Sequence, residues 1–82
     1  MDLIILTPGQ TVFKGQVTAV NTPGTSGKLE ILENHAPVVA SLKEGTITVT
    51  TASNEVVEFE TTGGFLEVLS NHVSILLETV KQ

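Results

Sequence analysis

The sequence contains no cysteine, tryptophan, tyrosine or arginine, and each absence narrows what the chain can be. Without cysteine there is no disulfide framework and no thiolate metal site. Small exported domains usually carry disulfides, and Asp2 follows Met1 with no basic segment ahead of an apolar stretch. We therefore expect no signal peptide and an intracellular, soluble chain. Apolar runs are a few residues long, far short of the roughly 20 residues that a membrane helix needs.

Positive charge is also scarce. Four lysines face nine acidic residues, which gives a net charge of −5. Lysine and arginine supply most of the affinity of proteins for nucleic acids and for anionic lipid surfaces. Aromatic side chains that could stack on bases are limited to three phenylalanines. The composition therefore predicts neither nucleic-acid binding nor direct insertion into lipid.

What the chain does contain is β-branched residues: 11 valines, 5 isoleucines and 12 threonines. These side chains favour strands over helices. Residues 46–50 and 55–60 alternate between apolar and polar and are separated by a short polar segment, which predicts a hairpin. Val73, Ile75 and Leu77 form a third alternating face, whereas residues 2–6 are almost continuously apolar, as expected of a strand that is covered on both faces.

Glycine, proline and asparagine divide the rest of the chain into short segments, and no window has a sustained helical period. The sequence predicts one all-β domain over residues 1–82, a flattened antiparallel β-sandwich or barrel of about eight to ten short strands.

No pattern of reactive side chains predicts catalysis or metal binding. His35 and His72 are far apart in the sequence, and neither has a histidine or cysteine at ligand spacing. No serine lies in a nucleophile-elbow motif, and no acidic residue is placed to orient a histidine. The acidic residues on the predicted strands are explained by a solvated sheet face that discourages edge pairing. We predict no catalytic residue, no metal site and no cofactor.

Residues 22–28 have some likeness to a phosphate-binding loop. Gly24 and Gly27 are separated by only two residues, and Leu29 rather than a hydroxyl residue follows Lys28. A P-loop needs four residues between its glycines and a helix after its lysine. The segment is predicted to be a turn, and no small-molecule ligand is expected.

Two longer segments carry a resemblance to a known family. They are residues 22–45, TPGTSGKLEILENHAPVVASLKEG, and residues 62–78, TGGFLEVLSNHVSILLE. Together with Thr7-Pro8 and the VFKG of residues 12–15, they resemble the β-sandwich domain of the ε subunit of F-type ATP synthases in order and spacing over essentially the whole chain. Two departures are Lys28, where the family often has an acidic residue, and Glu33-Asn34, where Pro-Gly commonly precedes the histidine.

The resemblance implies a non-catalytic rotor subunit of the central stalk of a proton-translocating ATP synthase, peripheral on the cytoplasmic face of the energy-coupling membrane. Its partners would be the γ subunit and the polar loops of the c-ring. The residues implied for the γ interface are Thr7, His35, Ala36, Val38, Val39 and Leu42, with the core as the alternative place for Val38, Val39 and Leu42. Those implied for the loops facing the c-ring are Gly27, Lys28, Glu33 and Asn34.

Many members of the family carry a two-helix hairpin after the sandwich that inhibits ATP hydrolysis. Only four residues follow Glu78 here, so the sequence predicts coupling without an inhibitory arm and without nucleotide binding. The alternative from another class is a free-standing β-sandwich module for adhesion or ligand binding. A third class, a small hydrolase, has no candidate site in the sequence.

Overall fold

The computed structural model describes residues 1–81, which form nine strands within the predicted range of eight to ten. The strands are β1 (Asp2–Thr7), β2 (Gln10–Gly24), β3 (Gly27–Leu32), β4 (Val38–Leu42), β5 (Gly45–Thr51), β6 (Val56–Thr61), β7 (Gly64–Leu69), β8 (His72–Leu77) and β9 (Val80–Lys81). The predicted all-β class and the predicted hairpin, which is β5–β6, are confirmed. In the described part of the chain there is no helix with the length and apolar character to cross a membrane.

Strand β2 joins the two layers of the sandwich. Its first half, from Gln10 to Gln16, pairs with β1, and its second half pairs with β5 and β3. We call β4, β7, β8, β1 and the first half of β2 the first sheet. The second sheet consists of β3, the second half of β2, β5, β6 and β9. At one end the first sheet closes on β2 through the pair Gly24 and Leu42.

One pairing departs from the predicted antiparallel arrangement. Strands β1 and β8 are parallel, with Leu3 beside Val73 and Ile5 beside Ile75, whereas all other pairings of the described strands are antiparallel. The reason is topological. Strands β1, β8, β7, β4 and β2 form a closed ring of five, and strand directions cannot alternate all the way round a ring with an odd number of members.

The core lies between the two sheets and is almost entirely aliphatic. Val73, Ile75 and Leu77 are buried, as the alternating pattern predicted. The largest buried side chain is Phe59, whose ring meets Phe13 edge to face at a centroid distance of 6.1 Å. The core residues are Met1, Leu3, Ile5, Val17, Val20, Ile31, Leu42, Ile47, Val49, Phe59, Leu66, Val68, Val73, Ile75 and Leu77.

The expectation that residues 2–6 would be covered on both faces is wrong. Leu3 and Ile5 are buried, but Ile4 and Leu6 are partly exposed on the outer face of β1. The run is continuously apolar because one face of β1 lies in the core and the other belongs to the apolar outer surface of the first sheet.

The turns follow the local chemistry of the sequence. Asn34, Asn54 and Asn71 adopt positive φ angles, a conformation that asparagine tolerates well. The turn predicted over residues 22–28 is confirmed at its centre, Thr25 and Ser26, whereas its two ends belong to β2 and β3. At Gly64, a Cβ atom would lie 2.1 Å from the carbonyl oxygen of Leu76, so β7 and β8 can approach this closely only with glycine there.

Candidate partner interface

The outer face of the first sheet is apolar although it is exposed. Val39, Phe65 and Leu76 are 74%, 62% and 54% exposed. A solvated sheet face is normally polar, with only isolated apolar residues. We call this surface the apolar face; its residues are Ile4, Leu6, Val39, Phe65, Leu69 and Leu76.

The register of the strands makes three of these residues contiguous, whereas Val39, Ile4 and Leu69 are opposite Glu67, Ser74 and His72. Phe65 on β7 is opposite Leu76 on β8, and Leu76 is opposite Leu6 on β1, which forms one apolar row across three strands. Directly opposed side chains have Cβ atoms about 5 Å apart, close enough to form a single surface. Contiguous exposed apolar surface is characteristic of protein contacts.

A groove of about 790 Å³ lies at the end of this row. Phe65 and Leu76 line it together with the turn of Thr7, Pro8 and Gly9. The turn of Thr62 and Gly63 lies on the other side of this groove. The row of apolar side chains thus continues into a concave surface between two turns, which gives the surface a defined shape.

The opposite end of the first sheet is polar. His72 Nδ1 lies 2.8 Å from Asp2 Oδ2, and Gln16 donates a hydrogen bond to Asp2. Both members of the histidine–aspartate pair are at least half exposed. This polar row forms a border to the apolar face.

The outer face of the second sheet has a different chemistry. Threonines at alternate positions of β5 lie beside glutamates of β6, with Thr48 opposite Glu58 and Thr46 opposite Glu60. Thr46 donates a hydrogen bond to the Glu60 carboxylate. This face is typical of a sheet surface that stays in water.

The β3–β4 loop, residues 33–37, is held in place by several polar contacts. The ammonium group of Met1 donates to Glu33, and Asn71 both donates to Glu33 (3.1 Å) and accepts from the Asn34 amide (2.8 Å). The Met1 ammonium group and the Asn71 amide lower the pKa of the Glu33 carboxyl group below its ordinary value. His35 Nδ1 lies 2.7 Å from the carbonyl oxygen of Ala36. These contacts fix the loop relative to the edge of the first sheet.

The residues predicted for the γ interface do not share one position. Ala36 and Val39 are exposed, His35 and Val38 are partly exposed, and Thr7 lines the groove at the far end of the sheet. Leu42 is only 5% exposed and belongs to the core. Alternation along β4 turns Val39 outward and Leu42 inward, so the core alternative holds for Leu42.

The four residues predicted to face the c-ring are divided between two ends of the domain. Gly27 and Lys28 begin β3, whereas Glu33 and Asn34 follow its last residue, Leu32. A strand of this length spans roughly 17 Å, against a domain whose principal extents are 26 × 24 × 20 Å. A single flat surface at one end of the sandwich can therefore include one pair but not the other.

The sequence patterns missed the residues of the apolar face on β7 and β8. Phe65, Leu69 and Leu76 interrupt the alternation of these strands by placing apolar residues on both faces. Apolar residues on the outward positions were the available signal, but a continuous apolar run is also what a fully buried strand looks like. Within residues 1–81, no group of three or more histidine or acidic side chains could hold a metal ion.

The chain is similar to known proteins of one family. The family model for the ATP synthase delta/epsilon chain β-sandwich domain matches residues 1–82. The ATP synthase epsilon chain of Salinibacter ruber is 39% identical over 85 residues, which cover 94% of this chain and 57% of the relative. The epsilon chain of Chlorobium limicola is 38% identical over 78 residues, which cover 95% of this chain and 89% of the relative. The chain thus spans little more than half of some relatives and most of others.

Solved structures share the fold. A chain of the Euglena gracilis mitochondrial ATP synthase matches with a TM-score of 0.90 at 21% identity, over 96% of this chain and 51% of that one. A chain of the Tetrahymena thermophila mitochondrial ATP synthase central stalk and c-ring matches with a TM-score of 0.82 at 19% identity, over 100% of this chain and 66% of that one. The family model covers every residue and the curated relatives exceed 30% identity, so this chain belongs to the family of ATP synthase delta/epsilon chain β-sandwich domains.

Proposed function

We propose that this chain is the sandwich part of an ε-type subunit in the central stalk of a proton-translocating F-type ATP synthase. It links the γ subunit to the c-ring and makes or breaks no covalent bond itself. The observation that supports this best is the family match over residues 1–82 combined with an apolar row across three strands on an outer face. A free-standing adhesion module has no specific observation in its favour.

In this proposal the apolar face packs on γ. Phe65, Leu76 and Val39 provide the apolar anchors, and the polar pair of Asp2 and His72 lies at the rim. Interfaces commonly combine an apolar centre with a polar rim. A coupling part must transmit torque without slipping, and a closed sheet with a packed aliphatic core provides that rigidity.

The end of the domain that carries Gly27 and Lys28 is proposed to face the polar loops of the c-ring. Lys28 is exposed and forms no salt bridge within the described residues. Glu33 and Asn34 instead hold the loop of His35 and Ala36 toward the γ side. With these contacts, the chain lies peripherally at the cytoplasmic face of the energy-coupling membrane.

The proposal is tested by co-expressing the tagged chain with γ and c subunits of the same organism and purifying through the tag. We expect γ and the c-ring to be recovered in defined stoichiometry with the chain. Recovery of the chain alone, under conditions where γ and the c-ring assemble, would contradict the proposal and favour a free-standing module.

A charge reversal tests the orientation. Lys28→Glu is expected to weaken assembly with the c-ring more in low salt than in high salt, because salt screens exposed charges. Lys81→Glu, which makes the same change of charge on β9, is the control and should have no such effect. Equal assembly of both variants at every salt concentration would remove Lys28 from the ring contact.

A further inference from the structure

Strand β4 has one edge that is paired and one that is open. On one side it pairs with β7 along its whole length, from Val38 beside Val68 to Leu42 beside Gly64. On its other side, the described residues provide a single pairing, Leu42 with Gly24. Most of this edge therefore has no neighbouring strand.

Two hydrogen bonds show which backbone groups point toward the open edge. The Thr25 amide donates to the Ser41 carbonyl oxygen at 3.0 Å, and the Lys43 amide donates to the Pro23 carbonyl oxygen at 2.8 Å. In an antiparallel strand the N–H and C=O of one residue point to the same side, and alternate residues point to opposite sides. The backbone groups of Val39 therefore point to the open edge, where they have no partner among residues 1–81.

The middle of this edge lacks the protection that the other open edges have. Natural proteins blunt open edges with charged residues, proline or bulges. Charged side chains occur on the other partly open strands: Lys14 on β2, Lys28 and Glu30 on β3, and Glu58 on β6. Pro37 and Lys43 flank the open edge of β4, but residues 38–41 between them are Val-Val-Ala-Ser, with neither charge nor proline. An open stretch of edge without charge or proline is a site where a short segment of another chain can pair.

A cleft of about 350 Å³ separates β4 from β3 and provides access to the edge. Its lining includes the apolar residues Val39, Ala40 and Leu29 and the polar residues Thr25 and Lys28. The Val39 side chain also belongs to the apolar face. The open edge and the apolar face are therefore continuous, so a partner that covers the face also reaches the edge.

We propose that an extended segment of the γ subunit adds to β4 as a further strand, with hydrogen bonds to the N–H and C=O of Val39. This inference rests on the proposed function, which supplies γ as the partner of the apolar face. The segment that fits is a short, extended stretch with uncharged side chains, because it passes beside Val39 and Ala40. Backbone pairing fixes the rotational position of the two subunits, whereas apolar contact alone allows sliding.

Residue-resolved amide hydrogen exchange on the intact chain, with and without γ, tests the inference. In the free chain the Val39 amide is expected to exchange quickly and the Ala40 amide slowly, because the latter points toward β7. On binding γ, exchange at Val39 should slow at least tenfold. The Thr48 amide on the second sheet is the internal reference and should not change.

A proline variant separates hydrogen bonding from simple coverage. Val39→Pro removes an N–H that has no partner among the described residues 1–81, so the fold should tolerate it at this edge position. It should weaken γ binding about tenfold more than Val39→Ala, which also shortens the side chain but keeps the N–H. Equal binding by the two variants would overturn strand addition, and the exchange experiment on the unaltered chain decides the case if Val39→Pro does not fold.

The outcomes distinguish this inference from the proposed function. If γ does not bind at all, the proposed function fails and the inference fails with it. If γ binds while Val39 still exchanges at its free rate, only the strand addition is wrong. Slow exchange at Val39 in the free chain that depends on its concentration would overturn the inference in favour of pairing between two copies.

Discussion

The two sheets of this sandwich have the same architecture inside and opposite chemistry outside. Their inner faces supply one aliphatic core, whereas the outer face of the first sheet carries a row of apolar residues and that of the second carries mainly threonines and glutamates. Folding alone requires only the inner faces to be apolar. The apolar outer face is the one proposed to bind a partner, and the polar outer face is typical of a sheet surface in contact with water.

The largest effect on stability is expected from a substitution at the close contact between β7 and β8 in the first sheet. Gly64→Ala would place a Cβ 2.1 Å from the Leu76 carbonyl oxygen, in the backbone of the neighbouring strand. Because backbone cannot move aside as a side chain can, we expect a loss of about 3 kcal/mol or more of unfolding free energy, measured by urea denaturation. Gly15→Ala is the control, since its Cβ would meet only the Phe13 ring at 3.7 Å. Comparable losses from both substitutions would mean that β7 and β8 are not constrained at Gly64.

The contrast between the outer faces can be tested with one matched pair of leucines. Leu76 on the first sheet is 54% exposed and Leu32 on the second is 48% exposed. Leu76→Glu should weaken γ binding at least tenfold, about 1.4 kcal/mol, because it places a charge in an apolar contact. Leu32→Glu should leave binding unchanged, and each substitution should change stability by no more than about 0.5 kcal/mol. Binding measured by calorimetry that falls equally for both would remove the distinction between the faces.

The smallest effect on stability is expected from a substitution of Thr22, on the inner face of the second sheet. The buried hydroxyl group of Thr22 has no hydrogen-bond partner among residues 1–81, so it loses contact with water without compensation. Thr22→Val should therefore stabilise the domain by about 1 kcal/mol, seen as a rise in Tm of several degrees.

Thr61 is the matched control for Thr22. It is also buried, but its hydroxyl group donates to the Thr79 carbonyl oxygen at 2.9 Å and lies 3.1 Å from that of Gly63. Thr61→Val should destabilise the domain, since it removes these hydrogen bonds. Destabilisation by Thr22→Val would indicate that its hydroxyl group does have a partner in solution.

Local chemistry allowed much of the fold to be predicted from the sequence. The alternation in residues 46–50 and 55–60 predicted the β5–β6 hairpin, and Val73, Ile75 and Leu77 were predicted on one face and are all buried. Both depend on a period of two residues, which a strand imposes whatever surrounds it. Asn34 likewise adopts the left-handed conformation that its side chain tolerates.

Relations between distant segments could not be predicted in the same way. The parallel pairing of β1 with β8 follows from closing a five-membered ring, which no local pattern contains. The apolar face depends on the register that aligns Leu6, Leu76 and Phe65. Lys28 and Asn34 lie at opposite ends of the domain because the strand β3 runs between them.

The sequence by itself determined the β class, the strand periods, the turns and the family, because each depends on neighbouring residues or on motifs along the chain. Only the tertiary structure decided which apolar residues serve the core and which the surface. Leu42 and Val39 lie three residues apart in one apolar segment, yet one is buried and the other is among the most exposed apolar side chains. Their chemistry is nearly the same, and only the packing of the second sheet against one face of β4 distinguishes them.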